Sequence, residues 1–423
     1  MAGRHFRKFI IALLAGTVAA GPVLADPSAG VMKPLNEERL QPGLYPAAPV
    51  PKEFGVPVEP GHPLFDIDWS VGLKGAYTHT NQGSSFVKTL TPEFTAVHDG
   101  QRADLRLNGG ADLAQRSGGD IELSGLRLGI SGTAPIDSVT NVTGNAALTL
   151  SQELPGLPGS SAQVIRPPRI VTGTLGAGID RQFGRFNVGI AGEATRTIYS
   201  PSERVLTGIT DNSDQNYWAT EASLRVGYQM TPIFEVFGEG TIGRDLFDLP
   251  SASLMRRQDG TQRELRAGVT GNWNSVLSAT ASVGVGDYVF DDAALGSVTT
   301  RLYDASVTYR PDPTLGLTAG LSTTISPPGA DAAGTAKVEH VAKASADYTV
   351  NSWLRLRASA NWGLSLFEGS GETERRHGLG AGADYKVNDH TAISADYGFA
   401  HRDNSSSGVL DSHSVTLGVT LKR

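Results

Sequence analysis

The most reactive side chains of the chain stand together near its end, in the run Asp411-Ser412-His413-Ser414. A serine hydrolase needs a serine, a histidine and a carboxylate or amide that meet in the folded protein. A barrel-shaped esterase or phospholipase would carry such a group at its outer rim. No second segment of the sequence supplies the remaining catalytic parts. We therefore interpret the run as the polar end of a hairpin and predict neither a catalytic residue nor an enzymatic activity.

Metal sites are not predicted either. His377, His390 and His401 stand beside charges at the ends of predicted strands, but no histidine or carboxylate pair has the spacing of metal ligands. An acidic cluster could bind a cation at the base of a loop, although a solvated loop mouth is the favoured interpretation. Its members are Asp287, Asp291 and Asp292.

Glycine runs such as Gly378-Leu379-Gly380-Ala381-Gly382 resemble nucleotide-binding loops only superficially. A phosphate-binding loop leads into a helix, whereas these glycines alternate inside predicted strands with no helix after them. No cofactor is expected.

The backbone that must position all these residues shows a period of two. In the segment 67–77 one face carries apolar side chains and the other carries polar ones, which suits a strand between hydrocarbon and water. The apolar face holds Ile67, Trp69, Val71, Leu73 and Tyr77, and the polar face holds Asp68, Ser70 and Lys74.

This alternation recurs in about eighteen segments between Phe65 and the C-terminus. Each has about the nine to eleven residues that a tilted strand needs to cross a bilayer. The least regular is the fifth, Asn141–Leu150, and about sixteen strands is the nearest alternative because the number should be even. The fold class predicted is all-β, an antiparallel up-and-down transmembrane β-barrel.

The connections between the segments alternate between short and long. The even-numbered ones are tight turns, for example Val97–Gly100 and Gln182–Arg185. From the third onward, most odd-numbered ones are longer and polar. These are Ser200–Asn216, Asp245–Thr261, Phe290–Thr300, Ser326–Glu339 and Glu368–Arg376. Short turns on one rim and long loops on the other are typical of outer-membrane barrels, with the turns in the periplasm.

The N-terminus predicts export. Arg4, Arg7 and Lys8 precede the apolar run Phe9–Ala15, and Val23-Leu24-Ala25 follows it as a cleavage site, so residues 1–25 are interpreted as a signal peptide. Residues 26–63 are proline-rich and are expected to form an extended periplasmic arm. Residues 64–423 would form the barrel in the outer membrane of a Gram-negative cell. The chain has no cysteine, which excludes disulfides and thiolate sites, and its net charge of −7 offers no basic patch for nucleic acid.

Charged residues at the polar positions of the strands are the candidates for lining the lumen. Two interpretations are open: a hydrated conduit that hydrogen-bonds polar solute, or internal ion pairs that only stabilise a closed lumen. The candidates are Lys74, Asp104, Arg106, Glu221, Arg225, Glu235, Glu239, Glu264, Arg266, Asp347, Arg355, Arg357, Asp384, Lys386 and Asp396.

Three stretches carry a resemblance to a known family: Gly176–Phe186, Gly227–Pro232 and His401–Ser405. Through them, and through the pattern of nearly all of residues 64–423, the chain resembles the putative β-barrel porin 2 family. The resemblance implies a proteobacterial outer-membrane barrel, and some members belong to exopolysaccharide secretion systems. The chain departs from barrels that end in an aromatic residue, because it ends in Val419-Thr420-Leu421-Lys422-Arg423.

The function expected from the pattern and the resemblance is a porin-like conduit for hydrophilic solutes, with exopolysaccharide export as the preferred version. The alternative is a structural or adhesive barrel whose long loops bind an extracellular ligand. The partners expected are outer-membrane lipid, hydrophilic solute or polysaccharide, and periplasmic components of polysaccharide export if that version holds. Nucleic acid is not an expected partner.

Overall fold

The computed structural model describes residues 65–100, 102–152, 164–204, 208–274, 276–329 and 334–423. The signal peptide and the periplasmic arm predicted over 1–63 lie outside these residues. Eighteen of the described strands form one sheet. They are β1 Asp66–Thr80, β2 Gly83–Asp99, β3 Asp104–Arg116, β4 Ile121–Pro135, β5 Thr140–Gln152, β7 Arg169–Phe183, β8 Phe186–Tyr199, β11 Tyr217–Gln229, β12 Phe234–Phe247, β13 Gly260–Trp273, β14 Leu277–Phe290, β15 Ser297–Tyr309, β16 Leu315–Ser326, β17 Ala336–Thr349, β18 Leu354–Glu368, β19 Glu372–Asn388, β20 Thr391–Asn404 and β21 Gly408–Lys422.

The sheet closes on itself. Each of its strands pairs antiparallel with the next one along the chain, and β21 pairs with β1 from Ser412↔Thr80 to Lys422↔Ser70. The predicted all-β barrel of eighteen antiparallel strands is therefore confirmed. The fifth strand, which has the thinnest alternation, is present as β5 and pairs along its whole length with β7.

The strands are longer than predicted, with 12 residues in β16 and 17 in β2. Pairing continues beyond the apolar segments into polar residues, so the predicted long connections are shorter than the sequence indicates, except for Ser200–Asn216, whose bounds between β8 and β11 match the prediction. The prediction of a long loop over Glu368–Arg376 is wrong in this respect, because β19 already begins at Glu372. Inward-facing charges at Glu374 and Arg376 hold these residues in the wall.

The outer face of the wall is apolar and carries aromatic side chains at two levels. Leu73 on β1 is 59 % exposed and Leu417 on β21 is 62 % exposed, although both lie in mid-strand. Side chains of this kind suit lipid, and rings suit its two interfaces. Rings near the short turns include Trp69, Tyr228, Trp273, Tyr309 and Tyr385, and rings nearer the opposite rim include Tyr77, Trp218 and Trp362.

Three short strands form a separate sheet within the odd-numbered connections. They are β6 Val164–Arg166, β9 Ser202–Arg204 and β10 Gly208–Thr210, in the order β10-β9-β6. A 3-10 turn at Ser213–Gln215 follows them. No helix among the described residues is long and apolar enough to cross a membrane.

Ion pairs fasten the long connections to the rim. Arg196 on β8 pairs with Asp248, and Arg244 on β12 binds Asp291 at 2.8 and 2.5 Å. The hydrogen bonds from Arg244 lower the pKa of Asp291, and those from Arg196 lower the pKa of Asp248. Both carboxylates therefore stay charged at neutral pH, and the loops after β12 and β14 are held against the outer wall.

We predict that Gly268→Ala destabilises the barrel. Gly268 lies on the inner face of β13, where an added Cβ would stand 2.5 Å from the Ala281 carbonyl oxygen and 2.6 Å from Phe237 Cζ. Overpacking of this kind costs about 1–3 kcal/mol of unfolding free energy. Gly240→Ala is the control, because an added Cβ there meets nothing within 4 Å. Urea titration of the folded gel band measures both variants, and equal midpoints would contradict the prediction.

Candidate functional site

The register between adjacent strands defines which side chains lie on the same face of the barrel wall. Lys74 on β1 is the register partner of Gly418 on β21, and partners of this kind can be followed from strand to strand around the sheet. They place all fifteen predicted residues on the face opposite Ile67, Trp69 and Leu73. The same holds for β3 and for β11 to β13. The outward face is apolar, so the charged face is the one that encloses the lumen.

One group of these side chains lies on β11, β12 and β13. Arg225 donates to Glu235 at 3.1 Å and lies 3.8 Å from Glu239, and its guanidinium stands 3.5 Å from the centre of the Phe237 ring. Phe237 is only 7 % exposed. The arginine is thereby held flat against the wall, with a cation–π contact beneath it and carboxylates beside it.

Further members of this group lie on the neighbouring strand and on β11. Arg266 and Glu264, two residues apart on β13, pair at 2.7 Å. Glu221 on β11 is within electrostatic reach of Glu193, Glu239 and Glu264. This side of the lumen therefore carries more carboxylates than cations.

A second group lies on β17 to β20. Arg357 donates from Nη2 to Asp384 at 3.0 Å and to Asp396 at 2.8 Å, which joins three adjacent strands. Arg355 binds Asp347 at 2.5 Å. The cations predicted on this face of β18 are thus neutralised by carboxylates from both of its neighbours.

The remaining four predicted residues stand apart from these groups. Lys386 pairs with Asp389 of the short turn at 2.6 Å. Within the described residues Lys74 and Arg106 form no ion pair, and the nearest register partners of Lys74 are Thr89 and Gly418. Asp104 opens β3 near a short turn. The fifteen residues consequently form two compact groups and four separate positions around one wall.

Sequence reasoning missed a third group, at the rim that carries the long connections. Glu374 pairs with Arg402 at 2.7 Å, and Arg376 pairs with Glu339 two strands away. The sequence does contain a signal for this group, because Glu372, Glu374 and Arg376 continue the two-residue alternation of the strand. Their polarity was interpreted as a loop instead.

Arg127 on β4 was not among the predicted lumen residues either. It donates to Asp112 at 2.7 Å and lies 3.5 Å from Glu93 on β2. The alternation of Leu126, Leu128 and Ile130 around it indicates the inward direction of Arg127.

Two connections fold over the lumen on the side of the long loops. The side chain of Gln258, which is 2 % exposed, donates to the carbonyl oxygens of Gly334 at 3.4 Å and Thr335 at 3.3 Å. These belong to the connection between β16 and β17. At its other end an added Cβ at Gly329 would lie 3.9 Å from the hydroxyl of Tyr199 on β8. The described ends of this connection therefore lie against Tyr199 of β8 and against the connection between β12 and β13.

The reactive side chains considered first do not assemble a catalytic or cation site. Ser412 faces inward and is 2 % exposed, whereas His413 is on the outer face and contacts the Tyr397 hydroxyl at 2.9 Å. His401 binds Asp411 at 2.6 Å and stacks on His377 on the same outer face. The adjacent serine and histidine point to opposite sides of the wall, so they cannot act on one another.

The acidic cluster separates as well. Asp287 faces outward and accepts a hydrogen bond from Thr299, while Asp291 and Asp292 each pair with an arginine. Among the described residues no three histidine, aspartate or glutamate side chains could hold a metal ion together.

Comparison with known proteins gives a family match over most of the chain. The family model described as "Putative beta-barrel porin 2" matches residues 70–423. A search of curated proteins found no significant match.

Solved structures with a similar course of the chain include three outer-membrane proteins of Pseudomonas aeruginosa. OpdK, solved with vanillate, is 12 % identical with a TM-score of 0.44, over 85 % of this chain and 99 % of its own. OpdO is 13 % identical with a TM-score of 0.43, over 84 % and 97 %. OpdF is 11 % identical with a TM-score of 0.44, over 85 % and 98 %.

We predict energetic coupling between Arg357 and Asp396. Arg357→Gln leaves two carboxylates without their shared cation and lowers the unfolding free energy, and Asp396→Asn in the same chain restores part of the loss. Because the side chains are partly hydrated, the coupling should be about 1 kcal/mol. Urea titrations of the two single variants and the double variant measure it. Strictly additive effects would show that the pair contributes nothing.

Proposed function

The chain belongs to the putative beta-barrel porin 2 family, and from that premise we propose that it is an outer-membrane conduit for hydrophilic solutes. The supporting observation is the band of charged side chains on the inner face of a closed wall of eighteen strands. A barrel of about this size is too wide to be filled by its own wall side chains and leaves an aqueous channel.

The ion pairs of the wall support a conduit more than a packed interior. Arg225, Arg355 and Arg357 are each held against the wall by carboxylates of adjacent strands, so their side chains line the lumen without crossing it. The remaining donors and acceptors can bind solute hydroxyls in place of water. Wall charges arranged in this way favour a polar, flexible solute.

Exopolysaccharide is the solute we prefer within this class. Its support is the resemblance over Gly176–Phe186, Gly227–Pro232 and His401–Ser405 to a family with members in exopolysaccharide secretion systems. A polysaccharide presents hydroxyls throughout its length, which suits a wall with alternating donors and acceptors. In this version periplasmic export components deliver the chain. We propose that the protein acts by passage alone and without catalysis.

The folded-in connections would regulate how much of the lumen is open. The described ends of the connection between β16 and β17 contact Tyr199 and Gln258, and we infer that solute passes beside this connection or displaces it. A narrow mouth of this kind would admit solute while limiting leakage.

Planar-bilayer recording tests the conduit directly. Replacement of residues 327–335 by Asn-Gly should raise the single-channel conductance several-fold over that of the wild type, because it removes the connection whose described ends contact Gln258 and Tyr199. The matched control replaces residues 117–120, a turn on the same rim, and should leave the conductance unchanged.

The same recordings separate the solute classes. Neutral and acidic oligosaccharides added on the periplasmic side should produce transient blocks in the shortened variant if polysaccharide is the solute. Conductance without such blocks would favour a small-solute porin. A shortened variant that never conducts would contradict the conduit.

A second candidate function is an adhesive barrel, and one observation favours it. The small sheet of β6, β9 and β10 presents Ile209 with 79 % of its side chain exposed, and Met255 of the next long connection is 81 % exposed. Ile209 also lines a cavity of about 310 Å³, together with Arg166, Arg169 and Glu203 among others, and we infer that a ligand outside the cell binds there.

Ile209→Asp tests the adhesive candidate. If these loops bind a ligand, the charge should abolish attachment of cells that carry the protein to a matrix while conductance stays at the wild-type level. Thr210→Asp in the same strand is a control for a charge at a polar position. Equal attachment by both variants would remove this candidate.

A further inference from the structure

The two adjacent strands β15 and β16 are not paired by backbone hydrogen bonds in the half of the wall nearer the long connections. β15 pairs with β16 only from Ala305↔Leu321 to Tyr309↔Leu317, near the short turn. Above this point β15 still pairs with β14 up to Ser297, and β16 still pairs with β17 up to Ser326. The interruption is therefore confined to the seam between β15 and β16, and both strands that border it are otherwise regular.

The upper part of the β16–β17 hairpin lies inside the wall at this seam. Ile325 and Val338 share a face with Leu317 and Leu321, which are exposed to the outside lower down. Yet Ile325 is 5 % and Val338 3 % exposed. They are buried against inward-facing residues of the neighbouring strands, namely Tyr288 and Phe290 of β14 and Val298 of β15.

The overlap is tight and apolar. An added Cβ at Gly286 on the inner face of β14 would lie 3.1 Å from Cδ1 of Ile325 and 3.1 Å from Cδ1 of Leu302. One polar pair lies within the overlap: Thr323, 1 % exposed, has its Oγ1 2.9 Å from His340 Nδ1. The upper part of this seam is thus sealed by side-chain packing, whereas the other seams of the wall are paired along most of their length.

The outer wall beside the seam carries a shallow groove. It encloses about 350 Å³ on the lipid-facing side of β13, β14 and β15. Arg301 is the charged side chain at this groove and forms no ion pair within the described residues. The lining is otherwise apolar or aromatic: Leu265, Val283, Gly284, Val285 and Tyr303.

We propose that this seam is a lateral opening, through which an amphipathic molecule with an alkyl chain and an anionic group passes between the lumen and the outer leaflet. Unpaired strand edges are costly in lipid, so an interruption of the pairing at this place indicates a functional role. Apolar contacts are non-directional, and an alkyl chain can replace those of Ile325 and Val338, whereas it cannot replace ladder hydrogen bonds. Arg301 at the outer groove attracts the anionic group.

The lateral opening goes beyond the axial conduit and does not depend on it. A hydrophilic solute needs neither an apolar overlap nor an outer groove, and an amphipath needs no open axial mouth. The two routes can therefore be blocked separately.

Because the chain has no cysteine, a pair of introduced cysteines can be cross-linked across the seam without interference from other thiols; such a cross-link is called a staple below. Gly286→Cys with Ile325→Cys, bridged by a short reversible bis-thiosulfonate, fixes the hairpin in its inward position. Val307→Cys with Ala319→Cys, bridged in the same way, staples the two strands where their ladder is intact. The probe is dodecanoate labelled with a fluorophore, and its uptake by cells is measured beside sucrose-driven swelling of vesicles that contain the same protein.

The 286–325 staple should abolish dodecanoate uptake, with recovery on reduction, and should leave vesicle swelling unchanged. The 307–319 staple should affect neither. Recovery on reduction shows that the variant is folded. Uptake that survives the 286–325 staple would overturn the proposal, and so would parallel loss of uptake and swelling, which would assign the hairpin to the axial route.

A charge substitution at the groove gives a second measurement. Arg301→Gln should reduce uptake of labelled dodecanoate and spare uptake of a neutral labelled dodecanol, with Arg263→Gln on the adjacent outer surface as the control. Equal effects of Arg301→Gln on the two probes would overturn the role of its charge in the opening.

Discussion

Lipid supplies no hydrogen-bond partner for a peptide group, and this constraint governs the whole structure. A strand with unpaired edges is costly in lipid, so the wall closes on itself through β21 and β1. Closure then makes the period of two decisive, because a shift of one residue would turn every charge toward lipid. The charges cost little toward a wet lumen and about 2–4 kcal/mol for an arginine or lysine at the membrane midplane.

The same constraint explains how much of the fold could be predicted. The strand number, the antiparallel order and the direction of residues such as Arg357 follow from alternation that each segment carries in its own sequence. The ends of the strands do not. Glu374 and Arg376 are polar in a loop and polar in a lumen, so only the partners Arg402 and Glu339 decide between the two, and these partners are distant in sequence. Pairing inside the lumen extends the wall above the bilayer for this reason.

The seam between β15 and β16 could not be predicted at all. Ile325 and Val338 continue the outward alternation of Leu317 and Leu321, so their sequence is that of a lipid-facing strand. Their burial against Tyr288 and Phe290 depends on the tilt of a hairpin into the lumen, which no local pattern encodes. The two groups of wall charges could be predicted in part. The alternation shows which face they lie on, but the contacts of Arg357 with both Asp384 and Asp396 depend on the register of three strands.

The central claim is that the inner face of the wall meets water. Single cysteines at Arg355, Leu356 and Arg357 on β18 test it most directly, because the natural chain contributes no thiol of its own. In cells or intact vesicles, a charged, membrane-impermeant thiol reagent should label the cysteines at 355 and 357 and leave the one at 356 unlabelled. Labelling at 356 with none at 355 and 357 would mean that the faces are reversed, and with them the assignment of every residue in the lumen.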